Sequence, residues 1–166
     1  MCSSDLGYRL ICDRNLSKLL QQKIIELGAI TLDETAWECL RIQQGRPKPD
    51  AELTEDYNPL EVGLWQTISF TKGCYIGQET IARLNTYKGV KQYLWGLKLA
   101  ASVDLGTPIT VDGEKVGVLT SCQECDGQIL GLGYIRSKAG GVGLKVMLGD
   151  ISGETINLPF VRHEYP

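Results

Sequence analysis

Two Asp-Gly dipeptides in the second half of the chain constrain its fold more than any other sequence feature. Asp112-Gly113 and Asp126-Gly127 each separate two runs of strand-forming residues. Asp-Gly is favoured in two-residue hairpin turns, because both central residues of a type I′ turn need positive φ. The surrounding pattern predicts a small antiparallel β-barrel with a third turn at Gly140-Gly141. Its expected strands are residues 92–99, 108–111, 115–121, 128–135, 144–148 and 155–158.

The first half of the chain has helical periodicity instead. Apolar residues recur at helical spacing from Leu16 to Leu27, and Gly28 follows as a stop signal. Thr31 and Glu34 have the spacing of a capping box, which predicts a second helix that continues to Gly45. A strand at residues 8–12 is expected to precede these helices.

The segment before the barrel is expected to be mostly irregular. Residues 45–58 contain Pro47, Pro49 and several acidic residues, so they predict an ordered loop. Asn58 followed by Pro59 predicts the start of a short helix that runs through Trp65. A strand at residues 67–70 and a helix at residues 79–84 complete the expected elements.

Together these patterns predict an α+β fold in two parts. A partial α+β domain would occupy residues 1–86, and a C-terminal antiparallel β-barrel domain residues 87–166. A single strand before the first helix cannot build a sheet, so we expect the N-terminus to be truncated relative to a natural protein, with residues 1–6 of foreign origin.

Charge and cysteine usage limit the function classes. The formal net charge of −3 argues against a surface that neutralises nucleic-acid phosphates, so no direct nucleic-acid partner is expected. Neither a membrane-spanning apolar run nor an export signal is recognisable, so no membrane partner is expected. The six cysteines are scattered through an ordinary globular composition. We therefore expect mostly free thiols and a cytoplasmic location.

The motif most informative about function is the octapeptide Lys72-Gly73-Cys74-Tyr75-Ile76-Gly77-Gln78-Glu79, called the Cys74 motif below. A thiol beside a lysine and just before a helix is shifted toward the thiolate, which attacks electrophiles and binds soft metals. The sequence leaves open whether Cys74 is a nucleophile, a metal ligand or a redox thiol, and a buried, inert cysteine is the simplest alternative. We expect Gln78 and Glu79 to bond the backbone of this loop, and Gly77 to allow its turn.

Other candidate groups carry weaker signals. Cys122 and Cys125 form a single CxxC pair on a hairpin, which is too few ligands for structural zinc, so no metal site is expected. His163 is the only histidine, and we interpret it as a surface residue. Lys88, Lys91 and Arg83 form a small basic patch, which we interpret as a solvated face.

Four segments of the chain, in order, resemble one protein family. The Cys74 motif is similar to the signature of the YgfZ group of folate-binding proteins, which are relatives of the glycine-cleavage aminomethyltransferases. Further segments resemble the family's arginine–glycine segment, its Pro-x-Glu-x-Gly-Leu element and its Gly-x-x-Thr-Ser barrel strand. They are residues 40–47, residues 58–64 and residues 117–121.

This resemblance implies a tetrahydrofolate-binding accessory protein that supports the assembly or repair of iron–sulfur enzymes. Some members are described as tRNA-modifying because an iron–sulfur tRNA-modifying enzyme depends on them. Carried over residue by residue, the resemblance makes Cys74 the functional thiol. It assigns folate binding to Arg41, Lys72, Gly73 and Tyr75, and the expected partners are folate and iron–sulfur client enzymes.

Two departures from the family pattern keep alternatives open. Arg9 stands where the aminomethyltransferases have a folate-contacting glutamate. The family's N-terminal domain, which completes the folate channel, has no counterpart in this sequence. A tetrahydrofolate-dependent one-carbon transferase is the alternative enzyme function, and an interaction domain without folate is the third reading.

Overall fold

Six antiparallel strands form a closed barrel in the second half of the chain. A computed structural model describes residues 10–163, and the strands follow the order β1-β4-β3-β2-β5-β6 around the barrel. β1 pairs with both β4 and β6, which closes the sheet and leaves no free edge. The strands are Gln92–Leu99 (β1), Pro108–Val111 (β2), Glu114–Cys125 (β3), Gln128–Arg136 (β4), Lys145–Leu148 (β5) and Ile151–Ile156 (β6). The predicted antiparallel barrel is confirmed.

Both Asp-Gly turns have the backbone geometry that the sequence predicted. Asp112 and Gly113 have φ of 51° and 82°, and Asp126 and Gly127 have φ of 50° and 74°. Positive φ at both central residues matches the right-handed twist of the flanking strands. These two turns therefore set the register of β2 against β3 and of β3 against β4.

The last part of the barrel differs from the prediction. β6 is Ile151–Ile156 rather than residues 155–158, and it pairs with β5 through a two-residue turn after Leu148. The pattern was misread because Gly153 interrupts the alternation. A Cβ at Gly153 would lie 2.7 Å from the end of the Leu99 side chain of β1 and 3.2 Å from the Lys98 carbonyl oxygen, so glycine favours the close packing of the two strands.

A cluster of buried apolar side chains covers one face of the barrel sheet. Leu97, Ile109, Leu119 and Ile135 have at most 1% of their surface exposed. Gly133 faces the same cluster, where a Cβ would meet Ile109 and Leu97. Burying these side chains supplies the main hydrophobic stabilisation of the barrel. The other buried members of the cluster are Trp95, Leu99, Val146 and Leu148.

A second apolar layer covers the other side of β1 and β4. Leu94, Leu132 and Tyr134 are fully buried there against Ile42 of helix α2 (Glu34–Gln44). Alternate residues of β1 and β4 thus pack on opposite faces, which explains why these two strands are buried on both sides. The layer extends through Val62, Leu130, Leu158 and Val161.

The N-terminal helix belongs to a separate compact unit. The chain divides into residues 1–33 and 34–166. Helix α1 (Ser17–Glu26) follows a 3₁₀ turn at Arg14–Leu16, and Gly28 ends it with φ of 97°, as predicted. The strand expected at residues 8–12 lies partly outside the described residues, and residues 10–12 form no strand. The division into domains 1–86 and 87–166 stays a prediction.

The segment before the Cys74 motif has less regular structure than the sequence predicted. Asn58 caps one turn by accepting hydrogen bonds from the N–H groups of Leu60 (3.0 Å) and Glu61 (3.1 Å). Gly63, at φ of 81°, ends this turn where a helix through Trp65 was expected. A 3₁₀ helix at Trp65–Thr67 takes the place of the expected strand start, and residues 68–70 form no strand. Apolar burial of Leu60 and Trp65 holds this part of the chain instead.

A buried ion pair connects α2, the following loop and the barrel. The Arg41 guanidinium donates to a carboxylate oxygen of Glu52 at 3.1 Å, and the two side chains are only 4% and 0% exposed. Glu52 also accepts hydrogen bonds from Thr120 and Ser121 of β3, each at 2.7 Å. The register of β3 shifts between Leu119 and Ser121, which lets two successive hydroxyl groups reach one carboxylate.

Every hydrogen-bonding position of this ion pair is used inside the protein. Nε and both terminal nitrogens of Arg41 donate to Glu38, the Arg46 carbonyl, Glu52 and Ser121. Such complete pairing is what makes a buried charge tolerable in a low-dielectric interior.

A disulfide lies beside this network. Cys39 of α2 is bonded to Cys125 at the end of β3, with Cα atoms 5.5 Å apart. Cys12, Cys74 and Cys122 are free. Three of the five described cysteines are thus free, as the expectation of mostly free thiols had it, and Cys125 pairs with α2 rather than with its CxxC neighbour. Cys122 packs in the barrel cluster while Cys125 packs in the outer layer, so the two sulfur atoms face opposite sides of β3.

None of the helices among the described residues combines the length and the apolar character needed to cross a bilayer.

The Arg41 network predicts a pH dependence of stability. The hydrogen bond from Arg41 lowers the pKa of Glu38 from its ordinary value of 4.5 to about 2. The carboxylate therefore stabilises the folded state above its unfolded pKa, and this stabilisation is lost as pH falls from 4.5 toward 2. Urea unfolding across this range should show a steeper loss of stability in the parent than in Glu38→Gln. Parallel curves for the two proteins would contradict the assignment.

Close packing of β3 on β4 predicts a strong effect of one added methyl group. A Cβ at Gly117 would collide with the backbone carbonyl of Tyr134, which cannot move without breaking the sheet. Gly117→Ala should lower the free energy of unfolding by about 1–3 kcal/mol, the usual cost of overpacking. Gly73→Ala is the matched control, because a Cβ there meets no atom within 4 Å. Equal stability of the two variants in denaturant titrations would disprove this explanation.

Candidate functional site

The Cys74 motif forms a tight turn that leads into helix α3 (Gln78–Thr86). Gly77 takes the N-cap position with φ of 88°, a conformation that favours glycine. The Tyr75 N–H donates to the Gln78 side-chain oxygen at 3.2 Å, and the Gln78 N–H donates to the Tyr75 carbonyl at 3.3 Å. These two bonds fix the loop on the first residue of the helix.

The turn presents the Cys74 sulfur to solvent. Cys74 is an exposed free thiol, three residues before the N-cap of α3. Its neighbour Gly73 has open space where a side chain would stand. The backbone beside the thiol can therefore be approached closely by another molecule. A buried cysteine is excluded for this position.

Lys72 and Tyr75 form a cation–π pair next to this thiol. The Lys72 ammonium lies 4.5 Å from the centre of the Tyr75 ring. The Lys72 N–H donates to the Ser69 hydroxyl at 3.2 Å, which anchors the lysine backbone. An ammonium group held on a ring face is a ready partner for an anionic group of a ligand.

A cavity of about 360 Å³ opens beside the Cys74 motif. It combines aromatic surface from Phe70 and Tyr75 with one cation and one carboxylate, Lys72 and Glu79. Small-molecule sites usually have this mixture of aromatic walls and a few polar groups. The complete lining is Ser69, Phe70, Lys72, Tyr75, Gln78, Glu79 and Ala82.

The structure places Arg41 apart from this lining. The cavity beside the Cys74 motif does not include Arg41, whose guanidinium is committed to the buried network with Glu52. A folate contact by Arg41 would require the guanidinium to exchange one of these internal bonds for the ligand. The folate role of Arg41 therefore stays a prediction, and its role in holding α2 to the barrel is visible directly.

His163 is not the surface residue that the sequence predicted. Its ring lies 3.9 Å from the Trp95 ring, and Nε2 is 2.8 Å from the Leu94 carbonyl oxygen. Burial lowers the pKa of His163, which favours the neutral imidazole. The short distance to a carbonyl identifies Nε2 as the protonated nitrogen.

Sequence reasoning missed Glu52 and Ser121, the partners of Arg41. Glu52 lies in an irregular loop where nothing distinguishes it from its acidic neighbours. Ser121 was noted only as part of the Gly-x-x-Thr-Ser strand. The hydrogen bonds explain that pattern: Gly117 permits close strand packing, and the two hydroxyl groups satisfy Glu52.

No cluster of three or more His, Cys, Asp or Glu side chains with metal-binding geometry occurs among residues 10–163.

Comparison with known proteins identifies the relatives of this fold. No protein-family model matches the chain. A chloroplast protein of Arabidopsis thaliana with a provisional transferase name is 46% identical over 98% of this chain and 38% of its own length. An aminomethyltransferase of Halothermothrix orenii is 28% identical over 96% of this chain and 48% of its own length. The tRNA-modifying protein YgfZ of Colwellia psychrerythraea is 38% identical over 46% of this chain and 24% of its own length.

A comparison with solved structures also finds an aminomethyltransferase. Aminomethyltransferase T of the Bartonella henselae glycine cleavage system superimposes with a TM-score of 0.73 at 22% identity, over 91% of this chain and 45% of that protein. The chain spans less than half the length of each of these four proteins. The residues of the Cys74 motif, the closed barrel and these relatives together lead to one conclusion: the chain belongs to the superfamily of the glycine-cleavage aminomethyltransferases and the YgfZ proteins.

Proposed function

We propose that this protein is a folate-binding accessory factor that supports the assembly or repair of iron–sulfur enzymes in the cytoplasm. The observation that carries the proposal is the exposed Cys74 thiol in a motif whose Lys72 and Tyr75 line a cavity with aromatic walls; Cys74 itself is not part of that lining. Relatives named YgfZ and aminomethyltransferase support the choice of ligand class. Iron–sulfur client enzymes are the partners in this proposal, and the acidic net charge of −3 is consistent with no direct binding of nucleic acid.

The residues around the Cys74 motif fit part of a folate molecule. Phe70 and Tyr75 offer ring faces for a planar heterocycle, and Lys72 offers a positive charge for a carboxylate. Gly73 leaves its backbone open to a ligand. The cavity of about 360 Å³ lies at the small end of the usual range for ligand pockets. Bound tetrahydrofolate would supply a carrier for one-carbon units.

Each residue of the Cys74 motif has a distinct part in this proposal. Cys74 is the functional thiol, and its exposure makes it available to a client protein. Gln78 and Gly77 hold the turn that presents the sulfur. Glu79 is part of the cavity lining, where its carboxylate can accept hydrogen bonds from a ligand.

Arg41 enters the proposal with two roles. Its hydrogen bonds hold α2 against the barrel, and its folate contact requires one of those bonds to be released. Because the guanidinium has five donors in a fixed geometry, lysine cannot replace it in either role.

A tetrahydrofolate-dependent one-carbon transferase is the second candidate. The specific observation in its favour is the transferase name of the 46% identical relative, together with aminomethyltransferases that align over 96% of the chain. The Cys74 thiol distinguishes the two candidates, since the family resemblance associates that cysteine with the accessory group. A Cys74→Ser protein that still transfers a one-carbon unit would favour the transferase.

The first test of the proposal concerns the Cys74 thiol. Alkylation followed by peptide mass measurement should label Cys74 faster than Cys12, the other exposed free thiol among residues 10–163, and faster than the half-buried Cys122. Cys74→Ser should abolish rescue of iron–sulfur enzyme activity in a deficient host, whereas Cys12→Ser should leave it intact. Both variants should unfold at the same denaturant concentration as the parent. Full rescue by Cys74→Ser would refute the functional role of the thiol.

The second test concerns folate. Titration with tetrahydrofolate should give about tenfold weaker binding for Lys72→Ala, because one charge-assisted contact is worth about 1.5 kcal/mol or more. Lys98→Ala, on an exposed part of β1, is the matched control. Arg41→Lys should weaken binding and also lower stability. Unchanged affinity in Lys72→Ala and Arg41→Lys would remove both residues from the site.

A further inference from the structure

A second cavity, of about 590 Å³, lies at the junction of α3 with the barrel. Four basic residues contribute to its lining: Lys88, Lys91, Arg136 and Lys138. Glu61 is the single acidic residue there, and one of its oxygens already accepts the Asn58 N–H at 3.1 Å. The remaining lining residues are Gly89, Val90, Gln92 and Ser137. The residues around this mostly apolar cavity therefore carry an excess of positive charge, in a protein with a net charge of −3.

The barrel topology brings these charges together from two distant segments. The start of β1 pairs with the end of β4, with Gln92 opposite Arg136. The Ser137 N–H donates to the Lys91 carbonyl at 2.8 Å, and the Ser137 hydroxyl donates to the Val90 carbonyl at 2.8 Å. Strand pairing and these two hydrogen bonds therefore fix the backbone that carries the cations.

Three of these cations lack an internal counter-charge. The side chains of Lys91, Arg136 and Lys138 form no ion pair or hydrogen bond within residues 10–163. Like charges around one concave surface repel each other and focus the electrostatic potential into the cavity. An anion that enters the cavity relieves this repulsion.

We propose that this cavity is a binding site for the phosphate groups of a small phosphorylated molecule. Arginine and lysine together suit phosphate, because the guanidinium donates two parallel hydrogen bonds and ammonium groups add charge. An open, concave volume of about 590 Å³ suits a small molecule, whereas an extended nucleic acid would need a long basic surface. The site shares no lining residue with the cavity beside the Cys74 motif. It adds a second ligand to the proposed function and does not depend on folate binding.

Inorganic pyrophosphate is the probe for this site. Calorimetric titration of the whole chain at low salt should detect saturable binding at a single site. Replacing Lys91 and Lys138 together by glutamine should weaken binding about a hundredfold, since each charged contact is worth about tenfold. Arg136→Gln alone should weaken it about tenfold by the same reasoning.

Matched controls separate a specific site from general charge effects. Lys98→Gln combined with Lys115→Gln removes the same charge from exposed strand positions outside the cavity and should leave pyrophosphate affinity unchanged. Cys74→Ser should also bind pyrophosphate normally, which distinguishes this site from the proposed folate site. All variants should keep the unfolding midpoint of the parent, because the substituted side chains are exposed.

Three outcomes would overturn the proposal. One is the absence of saturable binding at millimolar pyrophosphate. Another is equal weakening by the cavity pair and by the control pair, which would mean unspecific attraction. The third is tighter binding of a single-stranded RNA oligonucleotide that the cavity substitutions abolish, because the surface would then serve nucleic acid.

Discussion

The buried Arg41–Glu52 ion pair is the interaction on which the arrangement of the second compact unit depends. It joins a helix, an irregular loop and the register shift of β3, three elements that share no backbone hydrogen-bond ladder. Hydrophobic contact alone would let α2 slide on the barrel, because apolar packing is not directional. Fully paired charges at 4% and 0% exposure allow only one alignment. The loop that continues toward the Cys74 motif starts from this fixed point.

The barrel could be predicted from the sequence because its signals are local. Asp112-Gly113 and Asp126-Gly127 dictate their own backbone conformation, so the strands on either side follow. The bounds of β6 were predicted wrongly because Gly153 interrupts the strand pattern. The reason for a glycine there is its close packing against Leu99 of β1, which is distant along the chain. The helix expected through Trp65 failed for a similar reason. Gly63 stops the first turn, and a Cβ at Gly63 would collide with Val161, a contact that no local pattern contains.

The candidate site likewise has a part that local sequence predicted and a part that depends on distant residues. The turn of the Cys74 motif and the start of α3 follow from neighbouring residues, and the sequence located both. Two of the partners of Arg41, Glu52 and Ser121, come from 11 and 80 residues away, so the pattern could suggest a functional arginine but not its buried network. The cationic cavity was recognised only as a small patch, because Arg136 and Lys138 reach Lys91 through strand pairing alone. Long-range pairing is the information that single-sequence reasoning lacks.

The Cys39–Cys125 disulfide has a topological consequence for the segment that it encloses. The bond spans 86 residues, and the covalent ring contains the Cys74 motif, α3 and the first three strands of the barrel. A protease that cuts the exposed loop at the Cys74 motif would therefore open the ring without releasing a fragment. The two pieces would stay one molecule and separate only after reduction. A single band at the full apparent mass on a non-reducing gel therefore does not prove that the backbone of this protein is uncut.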